Sequence, residues 1–212
     1  MTTVLLTGFE PFDGDARNPS EEAVAETGRD WTGPEALVTA ILHVAFDAAA
    51  ADLRRLVAQH EPDVVIATGL AGGRGAVTPE RVAINLRDAR IPDNAGQQPA
   101  DAPCVEGGPA AHFSSLPVKT IVRAIAAEGI PASLSHTAGT FVCNHVFYTA
   151  ADLAAARPGL RSGFIHVPWS TETAPDDSPA LPAATIARAL GLAIRTVLDT
   201  EEDLSVPAGT LH

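Results

Sequence analysis

Lysine is nearly missing from this chain: Lys119 stands alone beside thirteen arginines in 212 residues. Schiff-base and lysine-nucleophile mechanisms therefore have a single residue to rest on. Cysteine is scarce too, and Cys104 and Cys143 are too few for a disulfide framework. Positive charge is short overall. Lys+Arg 14 against Asp+Glu 26 leaves a formal net charge of −12, which repels phosphate backbones and anionic lipid heads. Neither a nucleic-acid nor a membrane partner is expected. No run of strongly apolar residues is long enough to span a bilayer, because Asp52, Arg54, Asp152 and Arg157 interrupt the Ala-rich stretches. The opening MTTVLL lacks a basic segment followed by an apolar core, so a cytoplasmic protein is expected. Also absent are GxGxxG, the GxxxxGK phosphate loop, HExxH and CxxC, the signatures of nucleotide and zinc sites.

What is present is a globular composition, 46% hydrophobic and 19% charged, with a mean hydropathy of +0.11. Without a composition shift or an internal repeat, residues 1–212 read as one domain, with 199–212 a weakly structured acidic tail. Short apolar runs alternate with segments of helical period, the pattern of a sheet covered on both faces by helices. Strands are predicted over 2–7, 36–42, 63–68, 81–86, 132–136 and 163–167. Helices are predicted from Ser20 to Gly28, over 46–59, over 118–127 with Pro117 as first helical residue, from about Cys143 to the Pro158-Gly159 break, and over 182–198. The stretch 87–111 has prolines, glycines and no clear period, and a loop of that length usually carries function. The expected architecture is a three-layer α/β/α sandwich with a twisted, mostly parallel central sheet.

Cys143 is the sharpest single residue. A thiol in the first turn of a helix feels the positive end of the macrodipole, which favours thiolate; an inert core thiol is the alternative. A nucleophilic cysteine needs a base and a group that holds the base. His166 is the best placed of seven histidines, at the C-terminal end of a predicted strand, where α/β proteins put their sites. His43, His60, His112, His136, His145 and His212 are less well placed, and a strand histidine bonded to a carbonyl is the alternative for His166. Glu80 could orient the imidazole, or could be an exposed carboxylate paired with Arg81. The glycine run 69–75 could wrap an anion or make a tight turn.

Several runs carry a more specific signal: TGFEPFDG at 7–14 with Asn18-Pro19-Ser20, TGLAGGR at 68–74 leading to PERVAIN at 79–85, RIPDNAG at 90–96, SHTAGTFVCNHVFY at 135–148 and GFIHVPW at 163–169. Together, from about residue 2 to 198, they resemble the pyroglutamyl peptidase I (pyrrolidone-carboxylate peptidase) family of cysteine peptidases. The resemblance implies an α/β fold and removal of an N-terminal pyroglutamyl residue from peptides through a thioester, without metal or cofactor. It implies Cys143 as nucleophile, His166 as base and Glu80 as the residue orienting the histidine. It further implies Phe9 and Phe12 as aromatic walls around the lactam ring, with Asn18, Leu70 and Val142 touching it mostly through backbone groups. Arg90 is either a second contributor to the oxyanion, beside the backbone N–H of Cys143, or a structural partner of Asp88 or Asp93. Members of the family are commonly homotetramers.

Departures from the family pattern are few. Asp13 stands where many members have Gly, Leu70 where many have Gln, and Trp169-Ser170-Thr171-Glu172 replaces the commoner Pro-Tyr-Leu-Pro-Glu-Gln ending, on the side of the leaving peptide. Two rival readings remain at this level: a phosphorylase-like α/β enzyme using the 69–75 run, and a catalytically silent homologue that binds capped peptides.

Overall fold

The computed structural model describes residues 1–209; His212 and the last residues of the expected tail lie outside that range. The elements run β1 (Thr3–Phe9), α1 (Pro19–Asp30), β2 (Ala36–Leu42), α2 (Phe46–His60), β3 (Val64–Leu70), β4 (Thr78–Pro79), β5 (Val82–Ile84), β6 (Ala111–Phe113), α3 (Val118–Ala127), α4 (Val142–Ala156), β7 (Arg161–Val167), β8 (Trp169–Ser170), β9 (Ala180–Leu181) and α5 (Ala183–Asp199). The main sheet has the order β2-β1-β3-β7-β4. Its first four strands are parallel and β4 pairs antiparallel with β7, so the sheet is mostly parallel, as the alternation predicts.

Alternation along each strand divides the core into two layers. Leu5, Val65, Ala67 and Phe164 face a layer built with α2 and α4. Val4, Leu6, Val64, Ile66, Ile165 and Val167 face the opposite layer, with α1, α3 and α5. The strands read as continuous apolar runs because both faces are covered. At the start of α1 the Asn18 side chain accepts from Ser20 N, Pro19 opens the helix, and Glu21 and Glu22 lie in the first turn. The helix thus begins just ahead of the predicted Ser20.

Three local expectations are corrected. Residues 132–136 form no named strand, although they run alongside 77–81 and make bridges at Val77–Ala132 and Glu80–Ser135. Pro79 stands between those bridges and has no N–H to donate, which breaks the ladder. The predicted strand 81–86 shrinks to β5, which pairs with β6 at the end of the long loop. Pro117 is the residue preceding α3 rather than its first helical residue, and it supplies no side-chain cap. The cap comes instead from the tail: Asp203 accepts from Lys119 N, Thr120 N and the Thr120 hydroxyl at 2.9–3.1 Å. Residues 200–209 are irregular yet tethered. Likewise the loop 87–110 is held by Asp93, whose carboxylate accepts from Phe46 N, Ala95 N and Gln97 N at 2.8–2.9 Å.

Candidate active site

The C-terminal ends of β1, β3 and β7 and the N-terminus of α4 meet at one sheet edge. Cys143 is the second residue of α4, whose first turn has no side-chain cap, so its leading backbone N–H groups have no partner within the helix. The thiol packs against Gly69 near the end of β3, where an added Cβ would lie 2.8 Å from Sγ. Gly69 is the register partner of His166 across β3–β7. Cross-strand partners project to the same face of a sheet, so His166 emerges on the face that Cys143 covers.

His166 is 4% exposed, its ring tilted over Phe164 at 4.7 Å between centroids. Its Nδ1 lies 2.7 Å from Glu80 Oε1. An ionised carboxylate only accepts, so Nδ1 carries the hydrogen and Nε2 keeps its lone pair. Glu80 is fully buried, and its backbone N–H donates to Phe164 O at 2.8 Å, carrying the pairing with β7 one residue past Pro79. Arg74, from the loop after β3, donates to the same Oε1 at 2.6 Å. Burial alone would raise the Glu80 carboxyl, but the hydrogen bond and charge of His166, with bonds from Ser135 and Arg74, bring it below its ordinary value. Burial lowers His166, with Arg74 adding to the effect and Glu80 opposing it. Burial pushes the Cys143 thiol up to about 12, helped by the Glu80 charge. Burial therefore outweighs the helix-end field expected to favour thiolate, and it favours the neutral form of both side chains.

In front of the thiol lies a cavity of about 190 Å³, lined by Phe9, Phe12, Asn18, Leu70, Phe141 and Cys143 together with Asp15, Arg17 and Val44. The Phe12 and Phe141 rings stand 5.3 Å apart, and Phe141 in turn meets Phe46 edge-on at 5.3 Å. The Asn18 side chain is engaged elsewhere, donating to Glu10 O and accepting from Ser20. Val142 is buried in the α2/α4 layer and does not line the cavity. Arg90 is exposed and lies outside the lining, and among the described residues it makes no ion pair with Asp88 or Asp93. A second hollow of about 270 Å³ shares Asp15 and Arg17 with the first and is lined by Trp169, Glu172 and Thr173. The sequence departure after His166 thus sits beside the cavity.

The remaining candidates stand apart. His43 bonds Asp52, His112 lies 3.6 Å from Asp152, His145 packs against Phe46, and none of the other described histidines lines the cavity. Cys104 donates toward Ile84 O and Leu86 O, and burial raises its thiol to about 11. No group of three or more His, Cys, Asp or Glu among the described residues could hold a metal ion. Residue-by-residue reading missed Arg74 and Phe141. Phe141 carried a signal, an aromatic two residues before the cysteine; Arg74 was hidden in a run read only for its glycines. That run serves close packing. Gly69 admits Sγ, and Gly72 admits the Trp169 indole, which a Cβ would meet at 2.5 Å.

Fold and site together define an α/β protein that presents a helix-start thiol and a hydrogen-bonded imidazole–carboxylate pair on one face of its sheet. Comparison with known proteins makes this narrower. The family model described as pyroglutamyl peptidase matches residues 2–200. The pyrrolidone-carboxylate peptidase of Clavibacter michiganensis is 50% identical over the whole of both chains, and that of Streptomyces coelicolor 49% identical, again over all of both. The crystal structure of pyroglutamyl peptidase I from Bacillus amyloliquefaciens superimposes with a TM-score of 0.92 at 47% identity, covering 96% of this chain and 100% of that one. The pyrrolidone carboxyl peptidase of Thermococcus litoralis gives 0.93 at 35% identity, covering 98% and 100%. The chain belongs to the pyroglutamyl peptidase family.

Proposed function

We propose that this chain is a cysteine peptidase that hydrolyses the bond after an N-terminal pyroglutamyl residue. The observation that carries the reading is the Cys143 thiol at the base of a small aromatic cavity, with the His166–Glu80 pair on the face of the sheet it covers. About 190 Å³ is less than the roughly 300 Å³ at which pockets for drug-sized ligands begin, and suits one small ring. The pyroglutamyl lactam is flat and uncharged, which fits walls of Phe9, Phe12 and Phe141; a free glutamate would bring charges that must be paired.

In this mechanism His166 Nε2 takes the thiol proton as Sγ attacks the pyroglutamyl carbonyl carbon. Negative charge moves to the carbonyl oxygen, where the uncapped N–H groups at the start of α4 stabilise it. The tetrahedral intermediate collapses, the C–N bond breaks, and the amine leaves with the proton held by His166. Water, deprotonated by the same imidazole, then cleaves the thioester to pyroglutamate and free thiol. Glu80 holds the tautomer that each step needs. Leu70 and Asn18 contribute surface and backbone to the ring's binding, as the family resemblance implies. Residues 1–212 act as one domain, in a cytoplasmic setting where Cys104 and Cys143 stay free, and assemble as a homotetramer on the same resemblance.

The test is release of a fluorescent amine from its pyroglutamyl amide under reducing conditions with EDTA present. Wild type is expected to cleave and Cys143→Ala to lose at least about 10³-fold in kcat while still binding the substrate. Failure of folded, reduced wild type to cleave would overturn the peptidase reading in favour of a silent peptide-binding homologue.

A further inference from the structure

Two donors converge on one oxygen of Glu80. His166 Nδ1 approaches Oε1 at 2.7 Å and Arg74 at 2.6 Å, whereas the buried Oε2 has no partner. Arg74 is braced on both flanks: the same guanidinium nitrogen donates to the Thr78 hydroxyl at 2.7 Å, and the other terminal nitrogen to Thr137 O at 3.0 Å. Thr78 is the register partner of His166 on β4, and Thr137 lies in the loop that enters α4. One side chain thus ties the loop after β3 to the carboxylate, to the strand beside the imidazole and to the approach to Cys143.

We propose that Arg74 is a positioning residue for the His166 base, holding Glu80 by the oxygen that His166 uses and supplying the permanent countercharge that leaves the imidazole unprotonated at rest. The proposal rests on the reading of His166 as the base. A carboxylate this deeply buried needs a cation. If Glu80 had only the imidazole for a charged partner, it would draw a proton onto His166, and a protonated imidazole cannot accept the thiol's proton. Arg74 removes that demand, and its own positive charge further disfavours imidazolium. The charged groups bearing on His166 are Glu80 after β4 and Arg74 from the loop after β3, and the same two act on the Cys143 thiol of α4, which covers the same face of the sheet. Of these, Arg74 alone brings a fixed positive charge.

The experiment is the pH dependence of kcat/KM for the pyroglutamyl amide and, in parallel, of the iodoacetamide alkylation rate of Cys143 read by peptide mass. The second readout needs no peptidase activity, so a wild type that alkylates with an acid limb but cleaves nothing would fault the peptidase reading and leave this inference testable. Arg74→Met is expected to move the acid limb of both profiles upward by about one pH unit, a tenfold loss at pH values below the limb. Arg74→Lys keeps the charge and should restore the limb, with kcat reduced because an ammonium cannot reach Glu80, Thr78 and Thr137 at once. Should Arg74→Met fail to fold, Thr78→Val removes one brace and must shift the limb in the same direction by a smaller amount. A folded Arg74→Met or Thr78→Val with the limb unmoved, or with activity lost equally at every pH, would overturn the proposal.

Discussion

Gly69 matters to the site for the atom it lacks. A Cβ there would lie 2.8 Å from Cys143 Sγ and 3.0 Å from the Phe164 ring, so Gly69→Ala must displace the thiol or the ring beside His166. Loss of kcat/KM on the order of 10²-fold is expected, since displacements of about 1 Å have that effect. Overpacking should also lower stability by about 1–3 kcal/mol. Steady-state kinetics beside thermal unfolding would separate the two effects, and unchanged kinetics would show that Sγ does not need this space. A second residue-scale expectation concerns pH. Because burial lowers His166, the acid limb of wild-type kcat/KM should fall below the ordinary histidine midpoint of about 6.5, activity declining as His166 gains a proton. At this scale the places of Cys143 in the first turn of a helix and of His166 near the end of a strand were legible in the sequence, and the bond between Glu80 and His166 was expected from motif alone. Arg74 was not legible, because its part depends on a contact with Glu80 formed across a turn.

Helix α4 does two jobs. Its first turn presents Cys143, while Asn144 one residue on accepts from Ile84 N and donates to Ile84 O and Leu86 O, clamping β5 and the following loop to the helix. His145 follows, 2% exposed, and burial lowers its imidazole to about 4, with Arg87 and Arg54 adding to the effect. Between about pH 6.5 and 4 the unfolded chain binds a proton at this residue that the native state does not. Stability should therefore fall as pH drops through that window, by about 3 kcal/mol in all. His145→Gln should flatten this part of the pH profile of Tm, and an unflattened profile would assign the loss to other groups. Element positions were legible where apolar runs were long, as in β2, β3, α2 and α4. They failed where a single backbone group decided: Pro79, with no N–H, split the ladder that would have made 132–136 a strand. Likewise β4, two residues long, has no periodicity to read, although it sits next to His166.

Over the whole molecule the sheet separates two apolar layers, and the site stands on the α2/α4 side. The opposite side carries the tail: Asp203 caps α3 from 83 residues away in sequence, and the Lys119 ammonium donates to Val206 O. Asp203→Ala should lower stability by about 1 kcal/mol, the usual effect of losing a helix cap, and Tm by a few degrees. The bonds from Lys119 and Thr120 hold the Asp203 carboxyl below its ordinary value against burial, so this stabilisation should persist at neutral pH and disappear as acid protonates the carboxyl. KM and kcat measured on folded protein should not move. That independence was invisible in the sequence, because it depends on which layer each helix joins. Between the tail and the site the sheet behaves as a bulkhead. Damage where the tail meets α3, whether by substitution or clipping, should change how many molecules in a preparation are working and leave the speed of each working molecule as it was.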